Sequence, residues 1–136
     1  MRKSYYAAHT YMILGLVSGL AYREVTKLAD YTGPTQLSVL HPHLLALGML
    51  FFLIVLALEK AFTLSAGKLF DGFFWTYNAG LALTTAMMAV KGTLTVYGKP
   101  TGEALAWISG LGHLALTVGL ILFFVNLGKR ITEPAP

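Results

Sequence analysis

The chain has 136 residues, 56% of them hydrophobic and only 12% charged, about half the charged share of an ordinary soluble domain. One soluble core of this length cannot hide that much apolar surface, so a single membrane-embedded domain over residues 1–136 is expected rather than a soluble globule. The net charge of +4 is scattered over ends and connections with no basic stripe, which excludes a nucleic-acid-binding face, and the lack of cysteine excludes disulfides and thiolate metal sites.

Four apolar stretches follow one another, each near the ~20 residues that cross ~30 Å of hydrocarbon. The first covers residues 5–22. Met1-Arg2-Lys3 ahead of Tyr11–Leu20 has the charged start of a secretory signal, but the stretch is read as a retained first span. Its Gly15 and Gly19, four apart, mark a helix-contact face. Arg23-Glu24-Val25-Thr26-Lys27 and Thr32-Gly33-Pro34 lead into the second stretch, residues 36–58. Glu59, Lys60 and Lys68 flank the connection to the third, residues 73–97. Gly98-Lys99-Pro100-Thr101-Gly102-Glu103 stops that stretch, with Thr101 a candidate cap for the fourth, residues 104–127. The tail from Thr132 is expected to be loose.

Backbone polar groups inside hydrocarbon must be satisfied within the segment, and no barrel-type alternation is present. The expected fold class is therefore all-α, an integral membrane four-helix bundle. Both chain ends then lie on one side, with Arg2, Lys3, Lys60, Lys68, Lys129 and Arg130; Arg23, Lys27, Lys99 and, if counted, Lys91 lie on the other. The bias predicts cytoplasmic termini. Tyr5, Tyr6, Tyr22, Trp75, Tyr97 and Trp107 sit mostly near span ends, as interfacial anchors do.

The ionisable groups within the spans are His9, His41, His43, Lys91 and His113. Such groups are costly in lipid, which makes a functional role the first hypothesis. At ~1.5 Å per residue, His41 and His43 lie about 7–12 Å inside the outer end of the second stretch. His113 is at a similar depth in the fourth and Lys91 about one and a half turns from the outer end of the third, whereas His9, counted from the cytoplasmic end of its helix, is expected to sit deeper. His41 and His43 diverge by about 200° on a helix, so they cannot clasp one metal from the same segment. Pro42 between them supplies no backbone donor and either kinks a helix already begun or starts one.

An iron porphyrin suits this layer. Imidazole is a common axial ligand, and the macrocycle fits between helices of a bundle. Its anionic propionates call for a cation such as Lys91. Gly110, Gly112, Ala46 and Gly48 offer room for a flat ring. The plainer readings are that a membrane histidine bonds a neighbouring helix, that Lys91 snorkels to the interface, and that Met12, Met49, Met87 and Met88 fill gaps rather than bind copper.

The stretches Leu14–Gly19, Tyr22–Lys27, Thr35–Leu56 and Gly110–His113 resemble a family of small bacterial four-helix membrane proteins of unknown function. The resemblance spans nearly the whole chain and implies a multi-pass protein of the bacterial inner membrane. His41-Pro42-His43, opening the second helix and followed by Leu44-Leu45-Ala46-Leu47-Gly48-Met49, is also similar to a haem-binding helix of subunit I of the haem-copper oxidases. That subunit consists of three four-helix sets about a pseudo-threefold axis. This second resemblance implies a homotrimer with haem b between neighbouring subunits, His41 and His43 as axial ligands of two different haems, and Lys91 as propionate partner. The chain has no adjacent histidine pair for copper, so oxygen reduction is not implied and an enzymatic activity is not expected. Ligation by His43 and His113 within one bundle is the close alternative. The expected role is electron transfer, with a redox partner the sequence does not name, or haem or gas sensing. A cofactor-free membrane helper or small-solute transporter, using the histidines as hydrogen bonders or proton carriers, is the reading from a different class.

Overall fold

The structure, a computed structural model, describes residues 1–132; the tail expected to be loose falls mostly outside them, at residues 133–136. Four helices make up most of it: α1 (Arg2–Leu28), α2 (Leu37–Phe62), α3 (Phe70–Val96) and α4 (Gly102–Thr132). No strand occurs among the described residues. α2, α3 and α4, at 26, 27 and 31 residues, are long and apolar enough to cross a membrane. α1 matches them in length at 27 residues. It is more polar, with His9, Thr10 and Ser18 along it and Arg23, Glu24 and Lys27 toward its end, and falls short of them in composition. The α3–α4 connection turns tightly because Gly98 and Gly102 both take positive φ, 68° and 62°, on either side of Pro100, a conformation that costs glycine little.

Close packing rests on small residues. Lipid tails are as apolar as leucine, so helices in a bilayer associate mainly by intimate van der Waals contact. α3 and α4 approach backbone to backbone: a β-carbon on Gly80 would lie 2.6 Å from the Leu116 nitrogen and 2.9 Å from the Gly112 oxygen. Gly119 abuts Tyr77 in the same way. α1 meets α2 through Gly15, which faces Leu44 and Leu45, and Gly19, which faces His41, the face the sequence marks. α2 is set on α3 where Leu37 packs on Gly92 and the Thr35 hydroxyl donates to the Gly92 carbonyl at 2.8 Å.

The half of the molecule nearest the termini has a closed aromatic core. Phe51 stacks on Tyr77 (4.5 Å between ring centroids) and meets Phe123 edge-on at 5.4 Å, while Phe73 lies 5.0 Å from Phe123. Aromatic pairs of this kind contribute about 0.5–1.5 kcal/mol each beyond simple burial. The Asn126 amide donates to the Leu64 carbonyl at 3.0 Å, and Glu59 accepts from the Ser65 N–H at 2.7 Å and from the Ser65 hydroxyl.

Away from the termini the architecture opens. Among the described residues the first half of α2 leans on α1 and α3 without reaching α4, and α1 does not approach α4 at all. The four helices thus form an arc. Two lateral openings result: a groove between α1 and α3 with α2 as its floor, and a cleft between the distal halves of α2 and α4 with α3 as its floor.

Gly80→Leu should lower the thermal midpoint in detergent, followed by circular dichroism, by the equivalent of at least about 1–3 kcal/mol, since the added atoms meet backbone that cannot yield. Gly110 has open space around it, so Gly110→Ala should leave the midpoint unchanged or raise it, glycine costing a helix about 0.5–1 kcal/mol relative to alanine.

Candidate functional site

The rotation of α2 decides where its histidines go. Leu37, Leu40 and Leu44 are buried, with Leu37 on Gly92 of α3 and Leu44 beside Gly15 of α1. At about 100° per residue, His41 then falls on the α1 side, where its Cβ lies 3.7 Å from the position a β-carbon on Gly19 would take. The His41 Nδ1 is buried and has no hydrogen-bond partner. His43 falls on the opposite flank, away from α1, and is partly buried.

α4 turns its Gly112, Leu116, Gly119 and Phe123 stripe to α3. Leu122, on one flank of the stripe, reaches Gly72. Gly72 is twenty residues before Gly92, hence about 160° around α3 from the face that holds α2. His113, on the other flank, is therefore on the α2 side. It is exposed. His43 and His113 thus lie on the flanks of α2 and α4 that face one another across α3. Lys91, partly buried, lies two turns beyond Thr84 on the column of α3 that faces α4 and stands at the distal rim of the α2–α4 cleft. Within the α3–α4 seam, against Gly112, the Thr84 hydroxyl is 1% exposed and has no hydrogen-bond partner.

Both cleft histidines are held alike. His43 Nδ1 lies 2.7 Å from the Val39 carbonyl and His113 Nδ1 lies 2.9 Å from the Ser109 carbonyl. A carbonyl can only accept, so each Nδ1 carries the proton and donates it. The neutral ring then keeps a lone pair on Nε2. Metal-bound histidines are oriented in this way, by a hydrogen bond from the other ring nitrogen. Pro42 sits inside α2, and the helix continues after His43 as a π-helical segment, Leu44–Leu50. The Leu47 carbonyl of that segment accepts the Tyr77 hydroxyl at 2.9 Å, and Tyr77 is 1% exposed. The irregular backbone expected beside the histidines is thus present and tied to α3.

The other expectations divide. His9 is exposed in the half nearest the termini, edge-on to Tyr5 at 5.9 Å, and joins neither opening. Gly112 and Gly48 are taken up by helix contact, with Thr84 and Tyr11 respectively, and leave no room for a ring; Gly110 does. Met88 is buried in the core and Met49 packs against it, as gap-filling side chains do. No three of His, Cys, Asp and Glu converge among the described residues as ligands of one metal ion would.

The residue pattern did not disclose the α1–α3 groove, of about 940 Å³. None of the histidines lines it, nor does Lys91. The Tyr11 hydroxyl, donating to Asn78 Oδ1 at 2.8 Å, crosses from one wall to the other. Asn78 in an otherwise apolar stretch was the available signal.

The chain lacks cysteine, so single pairs can be introduced cleanly. Gly19→Cys with His41→Cys should close a disulfide under mild oxidation, since the β-carbon separation lies within the range such bonds need. Gly19→Cys with His43→Cys should remain reduced on the same gel-shift assay.

No curated protein and no solved structure matches the chain. A model of a protein family of unknown function, DUF2871, matches residues 1–130, and the chain belongs to that family.

Proposed function

We propose that the protein binds haem b in the membrane, with His43 and His113 as axial ligands, Lys91 as propionate partner, and electron transfer as its role. The observation that supports this reading is a pair of imidazoles on facing flanks of α2 and α4, each with Nδ1 against a backbone carbonyl, which leaves Nε2 of the neutral ring as the donor atom for a metal. Ligands contributed by neighbouring helices are a common way for bundles to hold such a group. When bound, haem supplies a one-electron centre, and two imidazoles close the iron to small molecules. The chain's own residues do the rest. The Val39 and Ser109 carbonyls fix the tautomers, Pro42 and the π segment set the reach of His43, and Lys91 offers the positive charge at the rim. A single imidazole on the iron would instead leave a position open for a gas and turn the role to sensing.

His41, seated on Gly19 of α1, is the less suited of the three histidines, though its divergence from His43 fits service at a second site between subunits. The cleft opens laterally, so neighbouring copies would shield it from lipid. A cyclic homotrimer satisfies that need. The bacterial inner membrane with cytoplasmic termini remains the expected setting, from the Lys and Arg bias.

A cofactor-free helper is favoured by one observation: the α1–α3 groove contains none of the histidines. The absorption spectrum of detergent-purified protein, before and after dithionite, separates the readings. A Soret band with sharp reduced α and β bands is expected, and His43→Ala should abolish haem retention. Normal haem content in that variant removes His43 from the site, and a featureless spectrum after haem supplementation removes the cofactor altogether.

A further inference from the structure

The groove between α1 and α3 gathers its unpaired donors at one mouth; beyond it the lining is mostly apolar, with Asn78 and Tyr11 bonded to each other across it and Ser18, Thr85 and Thr93 bonded to their own helices. At the end nearest the termini its lining includes Lys3, Tyr6, Thr10 and Trp75. Beyond them the walls and floor are built largely from Leu14, Val17, Leu40, Ala82, Ala86 and Ala89. From Lys3 to Val25 on α1 the groove runs about 33 Å at ~1.5 Å per residue, close to the ~30 Å of a hydrocarbon core. It opens sideways, so a ligand enters from the bilayer rather than from water.

The mouth is rich in donors. Lys3 Nζ spends one of its three N–H groups on Asp71 Oδ1 at 2.8 Å, a pair that is solvent-exposed and worth little by itself. Among the described residues the Tyr6 hydroxyl, the Thr10 hydroxyl and the Trp75 indole N–H make no hydrogen bond within the chain, and Tyr6 and Trp75 are 62% and 64% exposed. Aromatic side chains of this kind settle at headgroup level. Unspent donors, and a lysine whose exposed partner Asp71 takes only one of its N–H groups, above a long and mostly apolar trough call for an acceptor-rich phosphate head on long apolar tails. An apolar helix of another copy would leave those donors unanswered.

We infer that the α1–α3 groove is a binding site for one anionic phospholipid, its phosphate at Lys3, Tyr6 and Trp75 and its acyl chains against Ala82, Ala86 and Leu40. The lipid completes the lateral wall that α1 and α3 do not close between themselves. It also gives the more polar α1 an apolar neighbour along its open side.

The test is native mass spectrometry of the full chain released from nanodiscs of equal phosphatidylglycerol and phosphatidylcholine. One phospholipid per chain should be retained, enriched in phosphatidylglycerol. Ala86→Trp, at an exposed position on the groove wall, should lose it, and Lys3→Gln should lower retention several-fold and erase the headgroup preference. An unchanged thermal midpoint certifies the fold of Ala86→Trp. Should that variant fail to fold, Val17→Trp on the opposite wall, where Val17 is 57% exposed, carries the same comparison. The inference is overturned if no lipid is retained, if filling the groove leaves the adduct intact, if the two headgroups are retained equally, or if protein from cells carries a prenyl quinone in place of the phospholipid.

Discussion

The backbone-to-backbone approach of α3 and α4 is the constraint from which the rest follows. Gly80, Gly112 and Gly119 let two long helices lie closer than side chains would allow, and in a bilayer that closeness is the main source of association. α3 is thereby fixed on one face to α4. Its Gly92 face receives Leu37 and its Tyr77 hydroxyl holds the Leu47 carbonyl, so α2 is placed by α3 as well. α1 then docks on α2 rather than on the pair that anchors the fold. The result is an arc whose two lateral openings are consequences of where the glycines are.

Much of this was legible in the residues. The four helices stand where the apolar stretches are, and the Gly15–Gly19 spacing correctly marks a contact face. The apolar stretches give the four helices, three of them long and apolar enough to span, but in α1, α2 and α4 they stop short of the second end, because the helices continue through Arg23, Lys60 and Lys129. The divergence of His41 and His43 follows from helical pitch alone. What the residues did not give is the rotation of each helix about its own axis. That depends on which small residue meets which neighbour, and Gly112 or Gly48 reads equally well as ligand space and as helix contact. The α1–α3 groove left only a faint mark, Asn78, whose amide oxygen meets Tyr11 across it; nothing in the apolar pattern tells that the two helices stand apart on either side of that bond.

The chemistry gathers at the distal half, the packing at the half nearest the termini. Phe51, Phe73, Tyr77 and Phe123 close one end with large rings. The other end carries His43, His113, Lys91 and the orphaned Thr84 hydroxyl among small residues. Polar groups at the terminal half, Glu59 and Asn126, are answered within the chain, whereas His43, His113 and Lys91 lie at the end where the helices separate.

The π segment Leu44–Leu50 separates two stretches of α2 with different duties. Ahead of it, Leu37, His41 and His43 are oriented by Gly92 and Gly19; after it, Phe51 and Phe52 are oriented by the aromatic core. In a regular α-helix those two sets would be locked in one angular phase. A widened turn between them works as a phase adjuster. The imidazoles ahead of the widened turn and the rings after it thereby each face their own neighbours, although both belong to one continuous helix.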